Sequence, residues 1–205
     1  MQDIHYLVPQ QQQGLEKNLS YKITLDTVEN AEDWFVDSKE RMLDVNNWQK
    51  HATLVSASFQ LTDSNGHNVG RHARKGDYIK IDIPGPGPAA GDGFDWVIIE
   101  AIEYDDYPDL GMESFAMHVR PSVDPQHKGE GTAHFFSNNA TSTFVVERRG
   151  KHMAAYYYGR NESANTDAGV VDTVRNTAVA IAAWMGLSDA QWANIITGFI
   201  ELDTM

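Results

Sequence analysis

The 205-residue chain contains no cysteine, which excludes disulfides, thiolate metal centres and cysteine nucleophiles together. It has no run approaching the roughly 20 consecutive apolar residues that a membrane-crossing helix needs, and a mean hydropathy of -0.44 agrees. Met1 to Lys17 lacks the basic start, apolar stretch and small-residue cleavage site of a secretory leader, so a cytoplasmic protein is expected. Positive charge is scarce: 16 Lys and Arg face 29 Asp and Glu, a formal charge of -13. Such a chain repels phosphate backbones instead of releasing their counterions, so nucleic acid and anionic membrane surfaces are excluded as expected partners. The ordinary role of the acidic excess is solubility.

No break in composition separates two cores, and the expectation is one domain over residues 20–205 preceded by residues 1–19, a tail or an edge-covering arm that carries the run Gln10 to Gln13. Tyr21, Ile23 and Leu25 alternate with Lys22, Thr24 and Asp26, the period of a half-buried strand ending near Val28. Asn30 is a candidate N-cap for a helix whose face is Ala31, Trp34, Phe35, Ser38 and Met42, and Asp44 for a short second turn carrying Val45 and Trp48.

From Thr53 to Ala155 the period is two: Phe59 and Leu61, then Ile79, Ile81 and Ile83, then Phe115, Met117 and Val119 each mark one strand face. Trp96 to Tyr104 is apolar more continuously, as in a central strand. Strands over residues 143–148 and 151–158 meet at Arg149-Gly150, a hairpin signal. Linked by turns, the seven strands form a mainly antiparallel sheet in an α+β fold. Val170, Val171, Val174, Ala178, Ile181 and Met185 then define a long amphipathic helix, and Ser188 to Leu202 an extra one with the stripe Trp192, Ile195, Ile196 and Phe199.

Strand, two short helices, six strands and a long C-terminal helix is an element order that resembles the START-like helix-grip (SRPBCC) superfamily. The resemblance covers about Ser20 to Gly186 and includes Asn47-Trp48 and Val170 to Met185. The extra C-terminal helix and the Pro- and Gly-rich loop Pro84 to Gly93 depart from it. It implies a curved sheet wrapped around the long helix with an apolar cavity between them, lined by Phe59, Ile81, Phe115, Met117, Tyr157 and Val174. Members range from carriers to cyclases, so no activity is implied.

The motifs read mostly as structure. Pro84 to Gly93 has glycines, but prolines remove amides and a strand follows, so a semi-rigid loop is expected instead of a phosphate cradle. The eight histidines show no helical His-x-x-x-His pair, and neither a metal nor a cofactor is expected. No Gly-x-Ser-x-Gly elbow marks a serine nucleophile, and Glu103, Asp105, Asp106 and Asp109 lack the spacing of a calcium loop. His118 and Arg120 share a strand face, Arg160 joins the last strand to the long helix, and the run Tyr156, Tyr157, Tyr158 puts aromatics on both strand faces. His118, Arg120 and Arg160 complete the expected ligand-contact set.

Three functions fit. The first is a carrier or sensor of a small apolar or amphipathic molecule, contacted by the residues above. The second is a cyclase- or hydrolase-type enzyme in which cavity-facing His118, Arg120, Tyr156 or Arg160 act, with no catalytic residue assigned. The third is an interaction module using the last helix, whose apolar stripe either seals the domain or pairs with a second copy to make a homodimer.

Overall fold

The computed structural model describes residues 3–52, 57–83, 88–165 and 189–202. Its strands follow the sequence's period-two pattern: β1 (Leu15–Thr24), β2 (Ser58–Thr62), β3 (Tyr78–Asp82), β4 (Asp95–Tyr107), β5 (Met112–Pro121), β6 (Thr141–Arg149) and β7 (His152–Glu162). They form one antiparallel sheet in the order β1-β7-β6-β5-β4-β3-β2. The last six strands are a meander, and β1 closes its far edge against β7. The β6–β7 hairpin turns through Gly150, whose φ of +57° suits a residue without Cβ.

Helix α1 (Val28–Leu43) buries Ala31, Phe35, Ser38 and Met42, the three- and four-residue spacing of one helical face. Its cap is Thr27 and not Asn30: the Thr27 hydroxyl accepts from the Asn30 amide at 3.1 Å. A single turn, α2 (Trp48–His51), follows and buries Trp48.

The curvature of the sheet can be read from ring contacts. Strands β2 and β6 are four steps apart, roughly 19 Å in a flat sheet at about 4.8 Å per strand. Yet the Trp48 ring centroid lies 5.2 Å from Phe59 on β2 and 5.3 Å from Phe144 on β6. Only a strongly curled sheet brings both to one indole. Trp192 likewise bridges Phe59 at 6.1 Å and Tyr157 on β7 at 5.2 Å.

Residues 189–200 are helical, and Ile195, Ile196 and Phe199 are at most 1% exposed. The stripe that was a candidate dimer surface therefore faces this chain's own core. Gly198 permits the close docking, since a Cβ there would collide with the backbone carbonyl of His51. The long helix expected over Val170 to Met185 lies outside the described residues. Among those described, no helix is long and apolar enough to cross a membrane.

Over its described part, residues 3–19, the N-terminal segment is docked on the sheet and is not a loose tail. Leu15 to Leu19 belong to β1, and Ile4–Leu7 form a 3-10 turn. Ile4, 1% exposed, packs with Ala116 and Val145 on the outer face of the sheet. The glutamine run binds by polar contacts: Asn161 Oδ1 accepts from the Gln12 and Gln13 amides at 2.7 and 3.2 Å, and Gln11 Oε1 accepts from the Asn161 amide at 2.9 Å. These bonds had no hydrophobic pattern to announce them.

Candidate functional site

The concave face carries Phe59, Ile81, Phe115, Met117 and Tyr157 together in the main core cluster, as their alternation requires. Val174 lies outside the described residues. At the end of the face bounded by β2, β6 and β7, the rings of Phe59, Phe144 and Tyr157 are filled in by Trp48, Trp192 and Phe199.

His118, Arg120 and Arg160 do not join this group. They project from the outer face and are already engaged, which corrects their placement among cavity-facing residues. His118 Nδ1 is 2.8 Å from Thr143 Oγ1, and its Nε2 is 3.5 Å from Glu100. Burial pushes the His118 imidazole below its ordinary value, against the opposing pull of Glu100. Arg120 donates to the same Glu100 at 2.9 Å and to the Asn138 carbonyl at 3.1 Å. Arg160 donates to the Lys17 carbonyl at 2.9 Å and to Asn18 at 2.7 Å, with its guanidinium 5.4 Å from the Tyr158 ring centroid. The pairing of His118 and Arg120 on one strand face is as expected, but that face is the outer one. Tyr156 and Tyr158 share the outer side, packed against the cluster that contains Ile4.

A polar set of which the sequence reading named only Tyr157 as inward-facing sits on the inner side. Along β1 the alternation Lys17, Leu19, Tyr21, Ile23 points inward, so Lys17 closes an otherwise apolar row. Opposite it, β7 ends irregularly. Asn161 adopts a left-handed φ of +56°, and the chain turns so that Glu162 folds back beside Gly159. A Cβ on Gly159 would collide with the Glu162 carboxylate, so glycine leaves the space it occupies.

Glu162 Oε2 lies 3.6 Å from Lys17 Nζ, and Lys17 also meets Asp189 at 2.6 Å. Tyr157 donates to Glu162 Oε1 at 3.3 Å and lies 3.0 Å from Ser142 Oγ. The side chains of Lys17 and Glu162 are 9% and 2% exposed, a degree of burial uncommon for charged groups.

Burial raises the Glu162 carboxyl above the usual range although Lys17 opposes the shift, and raises the Tyr157 phenol well above its own. Among the described residues, Glu162 Oε2 is buried with no hydrogen-bond partner beyond the 3.6 Å ion pair with Lys17. The set thus offers an ammonium, hydroxyls and a carboxyl with raised proton affinity at the end of an apolar surface.

No known family profile and no curated protein match the sequence. Solved structures do resemble it over most of its length. A hypothetical protein of Helicobacter pylori is 10% identical, covering 88% of this chain and 86% of its own at a TM-score of 0.46. The major latex-like protein of Panax ginseng is 11% identical over 91% and 99%, at 0.39. Norcoclaurine synthase of Thalictrum flavum, solved with dopamine and hydroxybenzaldehyde, is 9% identical over 85% and 86%, at 0.35. None of these scores reaches 0.5, and no activity passes from these proteins to this one.

Proposed function

We infer that the chain binds a small amphipathic molecule on the concave face of its sheet. Its apolar body would lie against Phe115, Met117 and Ile81, and its polar end would meet Lys17, Tyr157 and Glu162. The observation that carries this reading is the buried Lys17–Glu162–Tyr157 cluster.

An ion pair taken out of water is often no more stabilising than apolar residues of the same volume. Its presence at the edge of an apolar surface therefore points to use, and burial has already shifted two of its groups. The helix-grip resemblance implies a cavity on the same side of the sheet. A cytoplasmic setting belongs to the same reading.

Native mass spectrometry of the purified full chain tests it. One small molecule per chain, lost in Lys17→Met, is the expected result; the bare chain mass under gentle ionisation, together with no uptake of added amphiphiles, would count against it.

Acid–base catalysis on the bound molecule is a second reading. It rests on Glu162, whose raised proton affinity lets it hold and return a proton beside the Tyr157 hydroxyl. In that case Glu162→Gln keeps the molecule bound and abolishes its conversion.

A further inference from the structure

The outer face carries a second cluster, built by the N-terminal segment. Asp3 caps the 3-10 turn, its Oδ1 accepting from the His5 amide at 3.0 Å. Ile4 plugs into the sheet beside Ala116 and Val145, and this fixes the turn. The His5 ring then projects edge-on over Tyr156 and Tyr158, at centroid distances of 5.5 and 5.4 Å.

There His5 Nε2 stands 2.9 Å from Glu147 Oε1 and 4.0 Å from Asp3 Oδ1. One donor atom from each of the three residues falls within 4.8 Å of the others. A tetrahedral zinc-type ion, with bonds of about 2.0–2.2 Å to nitrogen and oxygen, holds its donors roughly 3.3 Å apart. The two distances to His5 bracket that value, so small side-chain movements convert the cluster into three corners of a tetrahedron.

The surroundings supply the fourth corner. An open groove of about 580 Å³ adjoins the cluster, lined in part by Lys22, Arg149, His152, Tyr156 and Tyr158. Two carboxylates and an imidazole match a borderline divalent ion, whereas calcium and magnesium prefer oxygen donors alone. Arg149 Nη2 lies 3.8 Å from Glu147 Oε1 and competes electrostatically, but its side chain is 58% exposed, so solvent screens the pair.

We propose that Asp3, His5 and Glu147 form a three-ligand site for a zinc-type divalent ion whose remaining position opens into this groove. The coordination pattern is that of sites which keep one position for water or an exogenous oxygen donor. Glu147 comes from β6 and the other two ligands from the N-terminal segment, so the ion would also tie that segment to the sheet.

Titration of the full-length protein with Co²⁺, followed by the visible bands of a low-symmetry complex and reversed by Zn²⁺, tests the site. One ion per chain is expected, with affinity at least tenfold lower in His5→Ala and in Glu147→Gln. Asp3→Asn keeps the capping acceptor and the His5–Glu147 contact, so it should fold normally and still bind several-fold more weakly. Arg149→Ala should bind more tightly, which no mere loss of structure produces. Absence of Co²⁺ binding overturns the proposal, and so does binding that is unchanged in Asp3→Asn and His5→Ala.

Discussion

Tyr157→Phe removes one oxygen from the inner polar set and little else. The ring keeps its stack on Trp192, 5.2 Å between centroids at 11°, and its 5.3 Å contact with Phe144. What is lost is the hydroxyl between Ser142 Oγ at 3.0 Å and Glu162 Oε1 at 3.3 Å. Tyr157 is 1% and Glu162 3% exposed, so water does not readily replace it. Leaving a buried partner unsatisfied costs about 1–3 kcal/mol. A loss of about 2 kcal/mol is expected, or roughly 4–8 °C in Tm for a domain of this size. Urea melts of wild type, Tyr157→Phe, Ser142→Ala and the double mutant should give a coupling of about 1 kcal/mol. A single-mutant loss below about 0.5 kcal/mol with no coupling would show that the hydroxyl is not engaged as described.

Ile4→Ala should cost about 2–3 kcal/mol of docking of the N-terminal segment, read as faster proteolysis within residues 1–14 while the sheet stays folded. Glu162 has a raised proton affinity in the folded state; its stabilising contribution is full below the unfolded value of about 4.3 and lost as pH rises through the folded one. Glu162→Gln should therefore gain stability relative to wild type between acidic and neutral pH, and a constant difference across urea melts would refute this. His134 is the opposite case: burial lowers its imidazole, and Nδ1 accepts from the Phe136 amide at 2.9 Å. Its contribution is present above about pH 6.5 and lost as pH falls through the folded value, so His134→Asn, which retains an acceptor, should flatten the acid limb of the stability profile.

Where one face of an element is buried and the other wet, the residue pattern reveals the element. Ile79 and Ile81, Phe115 to Val119, and Ala31 to Met42 were legible for that reason, since a slip of one residue would turn every apolar side chain outward. The N-terminal segment was not, because Ile4 is a single anchor and the glutamines hold Asn161 through hydrogen bonds without a period. Of the inner polar set, Tyr157 was legible as a lining residue, whereas Lys17 and Glu162 were hidden for another reason. Lys17 and Glu162 sit near opposite ends of the sheet's sequence and meet only through the β1–β7 pairing. Extending the Tyr21–Ile23 alternation back through Leu19 would have turned Lys17 inward. The left-handed Asn161 that redirects Glu162 has no such signal. His118 and Arg120 were correctly paired on one face, but alternation alone does not say which face is concave.

A fluorescence titration of the folded full-length chain with 8-anilinonaphthalene-1-sulfonate, an apolar body with an anionic end, tests the concave-face site most directly. The account predicts saturable binding of one molecule per chain, weakened at least tenfold, about 1.4 kcal/mol, in the Lys17→Met, Tyr157→Phe double mutant. It also predicts no change in Arg120→Ala on the outer face. Absence of saturable binding, or equal binding by wild type and the double mutant, would contradict it.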